Sequence, residues 1–252
     1  MVIHFPYSGD MITTTRQHQC RKCGSVNIVK NGHNRCGSQQ YLCKDCRAVG
    51  VLTPKRQYSE ARREEILRAY QERPSMRGIS RIFGISRKTL AAWIKKKLRA
   101  LPSLRQTLPA ANADDALEVD EAWSFVRKRS HKRWLWTVLL RRTKHILAFV
   151  LGDHSERTCR RLWHRIPVAF RQCVSYSDFW GAYQGVFPTE THRCVGKETG
   201  QTAHQERWYN TLRQRVGRYV RKTLSFSKRD RWHYRVTKWF IILYNLSLSF
   251  TG

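Results

Sequence analysis

Two groups of residues have the types and spacings to do chemistry. The first is Cys20 and Cys23, in CRKC, with Cys43 and Cys46, in CKDC; nineteen residues separate the pairs. Each CxxC makes a tight turn that aims two thiolates at one point, and two such turns complete a tetrahedral sulfur site for Zn²⁺. Four sulfur ligands leave no open position, so such a metal is structural rather than catalytic. Disulfides and unliganded thiols are the competing readings, and His33 and Cys36, between the pairs, are substitute ligands without a CxxC partner.

The second group is acidic: Asp120, Asp178 and Glu206. The chain has 48 Lys and Arg against 18 Asp and Glu, and Glu206 is the only acid between Gly200 and Thr223. Three carboxylates brought together resist joint ionisation unless divalent cations neutralise them. Hard oxygen ligands suit Mg²⁺ or Mn²⁺ better than Zn²⁺. Two such ions roughly 4 Å apart activate an attacking oxygen and stabilise a leaving one in phosphodiester chemistry. Each acid also has a bland reading. Asp120 could sit exposed on an edge strand, Asp178 could cap a helix, and Glu206 could offset the dipole at a helix N-terminus. Glu121 competes with Asp120 but should point to the opposite face of a strand.

The elements that must position these acids can be read from the pattern. Leu117, Val119, Trp123 and Phe125 alternate as a strand with Asp120 and Glu121 in its middle. Residues 134–141 and 145–151 read as two more strands joined by a turn at 142–144. Ser155 caps a helix ending before Pro167, and CVSYSD is a short strand ending at Asp178. The carboxyl ends of strands are where ligands gather in α/β sheets. HRCV is a further short strand, and a helix begins near Gln201 with Glu206 in its first turns. This is the layout of a ribonuclease H-like fold, a mixed sheet flanked by helices, over residues 117–252.

Residues 58–99 read as three helices. Ser59 can cap the first, with the stripe Ile66, Leu67 and Tyr70, and Pro74 stops it. A short helix over 76–83 places Ile79, Ile82 and Phe83 on one side. Gly84 then turns, Ser86 caps, and Leu90, Trp93 and Ile94 line the third helix. That is a helix-turn-helix pattern, whose second helix enters the DNA major groove. Arg87, Lys88 and Thr89 at its N-terminal end would reach base edges, and Lys95, Lys96 and Lys97 would face phosphates. A plain helical hairpin is the competing reading. Residues 20–52 have too few large apolar side chains for a core, so metal binding would supply their folding free energy. Residues 1–19 read as a loose arm, with Met11 an alternative start, and 100–116 as a proline-containing linker. The expected architecture is multidomain: a zinc ribbon, an all-α helix-turn-helix and an α/β catalytic domain.

A net charge of +30 calls for a polyanionic partner, best met by nucleic acid rather than membrane or acidic protein. Hydrophobic residues at 41% exclude a disordered chain. No apolar run reaches the length of a membrane span and no signal-peptide core opens the sequence, so the expected location is cytoplasmic, associated with the nucleoid. The eight cysteines are then reduced.

These features together resemble the bacterial insertion-sequence transposases of the insertion-sequence-one family. The resemblance covers roughly residues 18–250 and is most specific in GSVNIVKNGHNRCGSQQYLCKDC, VDEAWSF, SDFWGAY and LRQRVGRYVRKTLSFSK. It implies a DDE catalytic domain whose acids are Asp120, Asp178 and Glu206. It also implies a basic residue seven after the glutamate, here Arg213, which shares a helical face with Glu206. Around the glutamate, Ala203 and Tyr209 stand where family members carry asparagines, and Gln205 where they carry an apolar residue. The implied function is binding of an element's terminal inverted repeats, then Mg²⁺-dependent cleavage and strand transfer into target DNA. Pairing two ends implies a homodimer or higher. The alternatives are a DNA-binding repressor with an inactive catalytic domain and a ribonuclease H-like nuclease that cuts without joining.

Overall fold

Alternating apolar residues build one five-stranded sheet in the computed structural model, which describes residues 17–35, 37–52, 58–72, 75–220 and 222–248. Most of the arm expected at 1–19, the substitute ligand Cys36 and the helix-stopping Pro74 lie outside the described residues. The chain divides into two compact units, Met1–Ser59 and Glu60–Gly252.

In the first unit, β1 (Ile28–His33), β2 (Gln39–Cys43) and β3 (Val49–Gly50) form a small antiparallel sheet in the order β1-β2-β3. Among its described residues only Cys20 and Cys43 are buried. Backbone pairing and the thiol cluster therefore hold this unit, not an apolar core.

The second unit begins with α1 (Glu60–Gln71), α2 (Met76–Phe83) and α3 (Arg87–Ala100). Ser75 and Ser86 cap α2 and α3, accepting from the Gly78 and Thr89 amides. Gly84 ends α2 at φ 64°, a left-handed conformation that favours glycine. Ile66, Leu67, Tyr70, Ile79, Leu90 and Ile94 on these helices are buried, Tyr70 by stacking on Trp239. Ile82, expected on the same side as Ile79, is instead 68% exposed. A two-turn helix buries a narrow stripe, which here follows Ile79 and the half-buried Phe83 one turn on.

Residues 100–116 carry a 3₁₀ turn at Leu104–Thr107 whose Thr107 is buried against the body. The sheet contains β4 (Ala116–Phe125), β5 (Lys132–Leu140), β6 (Ile146–Gly152), β7 (Val174–Ser177) and β8 (His192–Cys194) in the order β6-β5-β4-β7-β8. The first three are antiparallel neighbours, while β7 and β8 join in parallel. On one face α4 (Glu156–Arg165) and α5 (Gly181–Gln184) cover a core including Val119, Trp136, Val138, Leu162 and Tyr183. Helices α6 (Ala203–Arg215) and α7 (Asp230–Leu248) complete the unit. Asn245 in α7 is buried, accepting from the Ile146 amide and donating to the Ile146 carbonyl and Thr107. Among the described residues no helix is long and apolar enough to cross a membrane.

Candidate active site

The four thiols of the first unit meet. Their sulfurs all lie within 4.8 Å of one another, with Cys20–Cys46 and Cys23–Cys43 each 3.6 Å apart. Sulfurs tetrahedral about zinc at about 2.3 Å stand about 3.8 Å apart, so this spacing fits the ion. The turns that make it have positive φ just beyond each pair, at Gly24 (76°) and Arg47 (56°). The Cys23 and Lys22 amides lower the Cys20 thiol to about 6, while, against the Ser25 amide, the Cys46 sulfur and burial raise Cys23 to about 12, so the thiols titrate as one set. Among the described residues no other group of His, Cys, Asp and Glu gathers its ligand atoms so tightly.

The three acids lie near enough to interact electrostatically, though their ligand atoms do not converge as the thiols do. Strands β4 and β7 run parallel with Leu117 beside Ser175 and Glu118 beside Tyr176. The pairing ends there; continued two residues further, it would bring Asp120 level with Asp178, just past the end of β7. Asp178 Oδ1 accepts from the Trp180 amide (3.1 Å), the capping contact that is the competing reading of this residue. Helix α6 brings Glu206 in its first turn. Burial, then the neighbouring Glu121 carboxylate, and further Asp178 and Glu206, push the Asp120 carboxyl up to about 8, against the pull of the Glu121 amide. Asp178 and Glu206 are exposed, while Asp120 is half-buried. Glu121 turns to the other face, where it accepts from Tyr183 Oη and lies 3.0 Å from His154 Nε2. The His154 ring is itself stacked between Trp134 and Trp180.

What holds α6 against the sheet is a set of polar residues that sequence reasoning missed. Glu118, fully buried on β4, accepts from Arg141 Nε (3.0 Å), His204 Nδ1 (2.7 Å) and the Gln205 amide (3.0 Å). Its two oxygens thus tie the first turn of α6 to the strand that carries Asp120. One turn on, buried Tyr209 donates to the Asp120 carbonyl (2.7 Å) and meets Thr137 Oγ1. Gln205 Nε2 donates to the same Thr137 hydroxyl. Two of the three residues that differ from the pattern the sequence resembles, Gln205 and Tyr209, are therefore partners through Thr137, while Ala203 is the third. Glu118 inside an apolar strand and Thr137, which pairs with Asp120 on the neighbouring strand, were the available signals, visible only as breaks in the hydrophobic pattern.

The remaining expected residues are spread more widely. Arg213 lies half-buried on α6 with its guanidinium 5.9 Å from the Tyr209 ring centroid. Arg87 and Lys88 are exposed at the start of α3, while Thr89 Oγ1 is 2.8 Å from Ser86 Oγ. Lys96 is exposed, and Lys95 lies 6.0 Å from the Trp232 ring. Lys97 instead donates to both carboxylate oxygens of Glu64 on α1, at 2.8 and 2.9 Å. That ion pair joins α3 to α1 and turns this ammonium towards its own bundle.

Comparison with known proteins gives one consistent result. The family model described as IS1 transposase matches residues 116–245. The insertion element iso-IS1n protein InsB of Shigella dysenteriae is 36% identical over 124 residues, covering 49% of this chain and 92% of that protein. The insertion element IS1 4 protein InsB of Escherichia coli (strain K12) is 31% identical over 141 residues, covering 56% of this chain and 82% of that one.

Proposed function

The chain belongs to the IS1 transposase family, and on that premise we propose that it binds the ends of its element and cuts and joins DNA at Asp120, Asp178 and Glu206. The observation that carries this reading is the parallel β4–β7 pairing, which, continued two residues beyond Glu118 and Tyr176, would bring Asp120 level with Asp178. It is supported by the Asp120 carboxyl, pushed up to about 8 by burial and by the acids around it. Such a cluster of hard oxygens is relieved by a divalent cation. Mg²⁺ or Mn²⁺ held by these carboxylates would neutralise charge at the phosphodiester and activate oxygen there.

The chain's own groups have separate tasks. Glu118 and Tyr209 hold α6 on β4, so that Glu206 keeps its distance from Asp120. Arg213, two helical turns from Glu206, would hold a DNA phosphate. Water attack would free a 3′-hydroxyl at the element end, and that hydroxyl would then attack target DNA. Neither in-line displacement needs a covalent link to the protein. In this reading the α/β body is ribonuclease H-like, and α3 enters the major groove through Arg87, Lys88 and Thr89. Lys95 and Lys96 lie near phosphates, Zn²⁺ fixes the Cys₄ unit, and two chains pair the ends.

The test incubates the full chain with labelled element ends, target DNA and Mg²⁺. Wild type should cleave and join, while Asp120→Asn and Glu206→Gln should do neither. Equal product from wild type and variants would remove the catalytic assignment. End binding without cleavage would instead mark a repressor, and cleavage without joined product a nuclease.

A further inference from the structure

A second site lies away from the acids. A cavity of about 590 Å³ opens between the helices α1–α3 and the segment from Arg215 to Phe240. That volume is within the roughly 300–1,000 Å³ of sites that enclose a ligand. No acidic side chain lines it. Arg77, Lys228 and Arg229 do, and none has an ion-pair partner among the described residues. Phe226 and Trp232 are half-buried at its wall. Arg218 braces that wall by donating to Tyr70 Oη (2.8 Å), Ser227 Oγ (2.6 Å) and the Trp232 carbonyl (3.3 Å). Trp239, also at the cavity, has a buried indole N–H without an acceptor.

We propose that this cavity receives an unpaired nucleotide of the DNA strand being processed, its base against Phe226 and Trp232 and its phosphates against the free cations. Cations alone would suit duplex phosphates, and aromatic rings alone would suit an apolar peptide. The two combined in a concave, braced site match a base that carries phosphate. The location agrees. Arg215, on the rim, lies nine residues beyond Glu206 on α6, about 14 Å at 1.5 Å per residue. At about 3.4 Å per nucleotide along a strand, that distance is about four steps. The proposal rests on the DNA-processing reading above, and goes beyond it by adding a site for a nucleotide other than the reacting one.

The test compares dissociation constants of the full, zinc-loaded chain by fluorescence anisotropy. The probes are a blunt duplex, the same duplex with a four-nucleotide single-stranded extension, and one whose extension is abasic. The base-bearing extension should tighten binding roughly tenfold, and the abasic one should lose most of that gain. Phe226→Leu, which keeps the apolar volume, and Trp232→Ala should remove the gain while blunt-duplex affinity stays unchanged. Equal affinity for the two extensions would overturn the proposal, as would variants that weaken every probe alike. The two readings fail separately. A wild type that keeps the extension gain but joins no strands refutes only the transposase chemistry, and one that joins strands without the gain refutes only this site.

Discussion

Glu118→Ala tests the idea that one buried carboxylate sets the position of α6. The side chain is fully buried and accepts from Arg141, His204 and the Gln205 amide. Removing one partner of a buried ion pair costs about 3–5 kcal/mol. Arg141 is 26% and His204 36% exposed, so both regain water when the carboxylate is gone. The Gln205 amide is buried and does not; an unmet buried N–H costs about 1–3 kcal/mol. The loss should therefore fall at the low end, about 3 kcal/mol, which lowers the melting midpoint of a unit this size by about 6–12 °C. Glu118→Gln retains an acceptor for the amide and should lose about half as much. Urea unfolding at 25 °C followed by circular dichroism measures both. Because Glu206 follows Gln205 directly, Glu118→Ala should also abolish strand cleavage under conditions where the protein remains folded. A loss below about 1 kcal/mol, or full cleavage activity in the Ala variant, would refute the clamp.

Other outcomes follow from the same geometry. Asp120→Asn should abolish cleavage yet raise the melting midpoint of chelator-treated protein at pH 7. The folded-state value is raised from 3.8 to about 8, so ionisation costs stability progressively as pH climbs through that window, by roughly 2–4 kcal/mol at pH 7; an unchanged or lower midpoint would contradict this. His233, buried between Ser124 and Ser227, is lowered to about 3 by burial and by the charge of Arg218. It must remain neutral in the fold, so stability falls as pH drops from 6.5 towards 3, with about 2 kcal/mol lost at pH 5; the wild-type acid limb should be steeper than that of His233→Gln in urea titrations. Metal analysis should find about one zinc per chain. A strong chelator should unfold the Cys₄ unit while leaving helical circular dichroism intact, since every helix among the described residues lies in the second unit; loss of helicity in parallel would contradict the division.

Much of this protein is legible locally. Period-two alternation in VDEAWSF marks a strand and assigns Asp120 and Glu121 to opposite faces; Glu121 is found against Tyr183 and His154. Caps at Ser86 and Ser155 mark two helix starts. The CxxC pairs identify their sulfur cluster because each turn is a four-residue event and the two need only meet. Local periodicity also overreached, in placing Ile82 inside, because a short helix buries less than its full apolar stripe.

By itself the sequence determined the chemical inventory: thiols in paired turns, three separated acids, a large cationic excess and the alternation that orients each strand. The tertiary structure alone decided which of these meet. Glu118 reaches Gln205 across 87 positions, Tyr209 reaches Asp120 across 89, and Arg218 reaches Tyr70 across 148. Such contacts depend on sheet order and on how α6 and α7 dock, which no local period encodes. Burial then gave them their force. A carboxylate or threonine hydroxyl that interrupts an apolar strand looks like a defect in the pattern, and becomes a clamp only when a helix supplies its partners away from water.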